Sequence, residues 1–199
     1  PDGRFAAAWI SDQQQDERSI DVVLRIFSSD GEPITEEVIV SPLGVSANPS
    51  LALAGKSIVV AWEQLDLEQK VNRWDIGARS FDFDLKALSE PVFANLHRKG
   101  DQFEPQLNGG SSGAMLVWTS LGQDKSREAV MGRFVNSSGN LVGGEVLVNT
   151  NQHLAQMQPT LGLSSDGEFL VAWSTPHIGE TGFDIVGQSY APSDASNDL

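Results

Sequence analysis

Three aspartates, Asp21, Asp75 and Asp184, hold one register in the chain, with Ala129 in the same place between the last two, at intervals of 54, 54 and 55 residues. Carboxylates beside loop carbonyls are what a hard cation such as Ca2+ requires, because it takes several oxygens at once. On that chemistry Asp21, Asp75 and Asp184 are the candidate Ca2+ ligands, and Ca2+ is the only cofactor the residues suggest. Yet the sequence has no EF-hand loop and no G-G-x-G-x-D run, and its third unit has no acid at this position. A turn or backbone-capping role accounts for the same aspartates, as it does for Asn95 and Asn149 at what read as strand ends.

Catalytic chemistry has less to work with. His97, His153 and His177 lie in variable connections, and no G-x-S-x-G elbow, P-loop or H-E-x-x-H motif occurs. Glycoside hydrolysis needs only two carboxylates about 5–10 Å apart in space, and 27 acids allow such a pair without locating it. Among aromatic residues, Trp74 in VNRWDIG and Phe103 stand outside the repeated tryptophan series and are candidate stacking platforms for sugar rings.

Four other tryptophans belong to a different pattern. Trp9, Trp62, Trp118 and Trp173 each end a short apolar run, at intervals of 53, 56 and 55 residues, so a unit of roughly 54 residues recurs. Arg25, Arg79, Arg133 and Gln188 keep this period, as do Pro49, Pro105 and Pro159. The repeats fall at approximately 1–47, 48–103, 104–157 and 158–190 of a single domain spanning 1–199, with 191–199 as a flexible tail.

Each unit reads as four strands. The first starts at the proline, the second ends at the tryptophan, the third opens at the aspartate and the fourth closes at Ser41, Asn95 or Asn149. Gly/Ser-rich turns (AGKS, GGSSG, SSDG) join the first two and supply the positive φ of a tight hairpin. Connections between units are longer. This is how a β-propeller steps from the outer edge of one blade to the inner strand of the next. The runs IVVAW and FLVAW are apolar at every position, so these strands are expected to be covered on both faces. The expected fold is therefore all-β: a β-propeller-like repeat of four-stranded antiparallel blades, three to four in number, with incomplete first and last blades. Trp9, Trp62, Trp118 and Trp173 are expected to pack between blades.

Composition narrows the partners. A net charge of −14 with only 13 dispersed basic residues would repel nucleic acid and anionic lipid. No apolar run approaches the length of a membrane span, and no signal peptide is recognised at the start. The absence of cysteine excludes disulfides and thiolate metal sites.

The runs MQPTLGLSSDGEFLVAW, DIVGQSY and GGEVLVNT resemble a module found in tandem in large secreted bacterial proteins. Its pattern is a DG-x-F-V-V-x-W strand, an I-x-G-Q-x-F strand, a G-x-E-x-x-V-N-T strand and a Q-x-x-P lead-in. The resemblance implies a surface or secreted β-propeller of adhesin-like proteins, extracellular, at the cell surface or periplasmic, and implies no activity. The function expected from the sequence is a non-enzymatic structural or adhesive module in a larger assembly. Its partners would be other protein subunits or the remaining blades of a longer chain, and also glycans. A carbohydrate-binding propeller is the alternative, and a hydrolase with carboxylates at the propeller axis is the weaker third reading.

Overall fold

The computed structural model describes residues 3–12, 14–42, 44–66, 74–124, 127–151, 153–177 and 181–191; all of the expected tail except Ala191 lies outside them. They hold fourteen strands and no helix, in four antiparallel sheets. The first sheet is β1 (Phe5–Asp12), β2 (Ile20–Phe27) and β3 (Val38–Ile39). The second is β4 (Ser46–Ala54), β5 (Ser57–Leu65), β6 (Trp74–Phe81) and β7 (Val92–Phe93). The third is β8 (Gln102–Gly110), β9 (Gly113–Leu121), β10 (Glu128–Asn136) and β11 (Leu141–Leu147). The fourth is β12 (Met157–Leu163), β13 (Phe169–Pro176) and β14 (Phe183–Tyr190). Strand order within each sheet follows chain order, so every blade is a meander. Two blades have four strands and the outer two have three, as the repeat pattern predicts.

Hairpin chemistry explains the meander. Gly55, Gly113 and Gly167, in the turns joining the first two strands of a blade, take φ values of 63°, 138° and 86°, which a side chain would resist. The turn between β6 and β7 puts Leu85, not glycine, at φ 61°. Leu85 is buried in the core, so apolar burial there outweighs the conformational cost.

The core is three layers between blades. One joins Val22, Leu24 and Val40 of the first blade to Val60, Trp62 and Phe81 of the second. The next sets Val59 and Ile76 against Leu116 and Trp118. The third sets Val117 and Val130 against Val171, Trp173 and Tyr190. Trp62, Trp118 and Trp173 thus each face the preceding blade. Burying one contributes up to about 4–6 kcal/mol at 25 cal/mol/Å². Strands β5 and β9 are buried on both faces as expected. Strand β13 is not: Leu170 is 53% exposed, because no further sheet covers that face among the described residues. For the converse reason Trp9 is only half-buried.

Candidate functional site: a hydrogen-bonded wall on the inner strands

Strands β4, β8 and β12 are the first strands of their sheets and pack beside one another, so they line the common centre of the blades. Antiparallel order then sends the loops after each tryptophan strand, and the joins between blades, to one end. Every candidate named from the sequence lies at that end, but on different blades.

Each of the three aspartates meets hydrogen-bonding or ion-pairing partners. Asp21 is fully buried and accepts from Ser19 Oγ, the Gln14 amide and Gln15 Nε2. Asp75, also fully buried, accepts from Asn95 Nδ2 at 2.6 Å and pairs with Arg98 Nη2 at 2.9 Å. Arg98 Nη2 also meets Asp66 at 2.6 Å, and its guanidinium lies 3.9 Å from the centre of the Phe93 ring. Burial pushes the Asp75 carboxyl above its ordinary value of 3.8, while Asn95 and Arg98 pull it back. Asp184 is exposed and meets His177 Nδ1 at 2.9 Å. Among the described residues no three metal-ligating side chains converge. His97 and His153 sit in the joins that follow the second and third blades.

The asparagines at strand ends cap backbone. Asn95 Oδ1 accepts from the Ile76 amide and Asn149 Oδ1 from the Val130 amide, both at 2.8 Å, and Ser41 Oγ accepts from Val22 at 2.9 Å. In the third blade, where Ala129 replaces aspartate, Asp124 of the preceding loop accepts from Asn149 Nδ2 at 3.1 Å. Trp74 opens β6 half-buried, its amide donating to Asp101, while Phe103 sits half-buried in β8 opposite Thr119.

A continuous polar chain across three blades has no counterpart in the sequence reading. It begins at Asn48, whose Nδ2 donates to Glu63 Oε1 at 2.8 Å, and the Glu104 amide donates to the same oxygen at 2.7 Å. Glu104 Oε2 accepts from Thr119 Oγ1 at 3.2 Å, and Thr119 Oγ1 accepts from the Gln158 amide at 3.2 Å. Glu63 and Thr119 directly follow Trp62 and Trp118; Asn48, Glu104 and Gln158 directly precede Pro49, Pro105 and Pro159. Each of the last three occupies a bulge in its inner strand with φ of 47°, 57° and 55°. Left-handed backbone costs a residue with a side chain about 1–2 kcal/mol, and strain of this kind gathers at functional positions. The signal available in the sequence was a polar residue before each repeated proline and another after each central tryptophan.

Antiparallel blades around a common centre, with tryptophans between them, define a β-propeller. Solved structures that match this fold include glycoside hydrolases. The GH93 alpha-L-arabinofuranosidase of Fusarium graminearum, solved with arabinobiose, matches with TM-score 0.60 and 13% identity over 94% of this chain and 59% of its own. The sucrose-6-phosphate hydrolase from Lactobacillus gasseri matches with TM-score 0.56 and 9% identity over 96% of this chain and 45% of its own. The endo-arabinase from Bacteroides thetaiotaomicron VPI-5482 matches with TM-score 0.53 and 9% identity over 95% of this chain and 71% of its own. At these identities the likeness is one of fold. No protein-family model matches the chain, and no curated protein matches it in sequence.

These matches correct two expectations: that of a non-enzymatic structural or adhesive module, and that of a protein without enzymatic activity. The neighbours in fold are propeller enzymes, not adhesin-like modules. The physical reason for the error is that the repeated residues are those that pack blades together. Such packing is shared by any propeller and is silent about the inner-strand bulges, where the Glu104 amide meets the Glu63 carboxylate.

Proposed function

We propose that the chain is a carbohydrate-active β-propeller that hydrolyses glycosidic bonds, with Glu63 and Glu104 as its acidic pair. The observation that carries this reading is the strained inner-strand bulge at Glu104, whose backbone amide donates to the Glu63 carboxylate of the preceding blade and so brings two acidic residues from adjacent blades together. Glycoside hydrolysis requires one carboxyl to protonate the leaving oxygen and a second to act as base or nucleophile. Glu104, half-buried on an inner strand, suits the acid; Glu63 Oε1, fixed by two donors, suits the partner that faces developing positive charge. The fold accords with this, since its solved examples include an arabinofuranosidase and an endo-arabinase. Trp74 and Phe103, at the same end of the blades, offer stacking faces for more distant sugar units. An extracellular, cell-surface or periplasmic location accords with a polymeric substrate.

The test is release of reducing sugar from arabinan, xylan and their oligosaccharides by the full chain. Glu104→Gln and Glu63→Gln are expected to lower turnover by about 100-fold or more, the usual contribution of a positioned acid or base, with an unchanged melting temperature. No release from any of these glycans, or full turnover in Glu104→Gln, refutes the assignment.

A further inference from the structure

We propose that Asn48, Glu104 and Gln158 form a binding register for the hydroxyl groups of an uncharged sugar chain, one residue from each of three blades. The ligand class rests on the glycan reading above; the claim that these side chains serve a ligand stands on the backbone alone. All three positions have left-handed φ and precede proline, which restricts the residue before it further. Glycine takes this conformation without strain and is the default there. None of the three is glycine.

The bulges at Glu104 and Gln158 are tied to the preceding blade without their side chains. What ties Glu104 and Gln158 to the preceding blade is the backbone amide, donated to Glu63 and to Thr119, and a glycine would donate the same hydrogen bond. The Gln158 side chain is therefore surplus to the bulge, while Asn48 Nδ2 bonds Glu63 and Glu104 Oε2 accepts from Thr119, each through one of its two polar atoms. Asn48 and Gln158 are exposed and Glu104 is half-buried, so Asn48 Oδ1, Glu104 Oε1 and the Gln158 side-chain amide can meet a ligand on the inner strands.

Chemistry selects the ligand. Two amides and a carboxylate offer both donors and acceptors, which match vicinal hydroxyls. The wall from Asn48 through Glu63, Glu104 and Thr119 to Gln158 contains no lysine or arginine, while two of its members are acids. A phosphorylated or uronic-acid sugar would meet like charge with nothing to pair it. A neutral pentose or hexose chain fits.

The experiment compares the full chain with Glu104→Gly, Gln158→Gly and the double variant, by thermal unfolding and by calorimetric titration with neutral arabino- and xylo-oligosaccharides and with an oligogalacturonate. The register predicts an unchanged or raised melting temperature in every glycine variant. It also predicts a loss of about tenfold in affinity for the neutral chain per position, the equivalent of one lost hydrogen bond, and no binding of the oligogalacturonate. A fall of several degrees in either single variant makes the side chains structural and overturns the proposal. So do unchanged affinity in the double variant, absence of binding to any neutral chain, and equal binding of the oligogalacturonate. Binding requires no turnover, so a chain that binds neutral oligosaccharides but does not cleave them sinks the hydrolase reading and leaves this register standing. Turnover lost in Glu104→Gln with undiminished affinity in the double glycine variant does the reverse.

Discussion

Each fully enclosed indole in this protein has a glutamine oxygen on its N–H. Trp118 Nε1 donates to Gln102 Oε1 at 3.1 Å and Trp173 Nε1 to Gln156 Oε1 at 2.7 Å, both glutamines lying three residues before the inner-strand proline. In the second blade Ser46 holds that position, too short to reach, and Gln64 supplies the oxygen to Trp62 at 2.9 Å instead. A buried N–H left without an acceptor costs about 1–3 kcal/mol. Gln102→Leu should therefore lower unfolding stability by that amount in denaturant titration, and Gln64→Leu should do the same through a different blade. An effect within about 0.5 kcal/mol would mean that the indole contributes by burial alone. Asp75 makes a second prediction at this scale. Burial raises its folded pKa above the ordinary 3.8. The sign follows: a carboxyl that holds its proton more tightly when folded adds stability below the unfolded pKa and loses it as pH rises through the folded one. In the window opening upward from 3.8, stability of the native chain should fall with pH relative to Asp75→Asn, measured by urea unfolding at successive pH values. A constant difference between the two across that window would contradict this.

At the scale of elements, the blades are fastened by two recurring devices. Side chains at the ends of the fourth strands cap the third, through Ser41, Asn95 and Asn149. Arginines in the third strand reach back a blade: Arg79 Nη1 donates to the Val40 carbonyl at 3.3 Å and Arg133 Nη1 to the Ala94 carbonyl at 3.1 Å. Each also fixes its own blade through Nε, to Ser89 and Gly143. A planar fork bonding two strands at once is not replaced by lysine. Asn149→Ala strands the buried Val130 amide, so a loss of about 1–3 kcal/mol is expected. Hydrogen exchange at Val130 should accelerate with it. Exchange at the native rate in that variant would show that another acceptor takes over.

Across the whole molecule, stability is a chain of neighbour contacts rather than one central core, with Trp62, Trp118 and Trp173 in successive layers. Trp118 is wholly buried and Trp9 only half so. Trp118→Ala should cost about 3–5 kcal/mol, as large-to-small changes in a core do, and Trp9→Ala clearly less, both read from denaturant midpoints. Equal losses would mean that Trp9 is covered in solution. The face carrying Leu170 and Ile185 is the other exposed flank, with Ile185 at 72% against complete burial of Ile76 in the same register of the second blade.

The number of strands, their grouping into blades and the packing of the tryptophans were determined by the sequence alone, because local periodicity and turn chemistry set them and the repeat states them several times over. Capping by Asn95 and Asn149 was equally legible, since it joins a strand end to its immediate neighbour. What only the tertiary structure decided is the meeting of Glu63 with Glu104, 41 residues apart, and the alignment of Asn48, Glu104 and Gln158. Those residues come together through the rotation from one blade to the next and through a bulge whose backbone conformation no residue type there announces. The uncovered face of β13 belongs to the same category: its apolar run calls for cover on both sides, and whether a neighbour provides it is a property of the arrangement of blades.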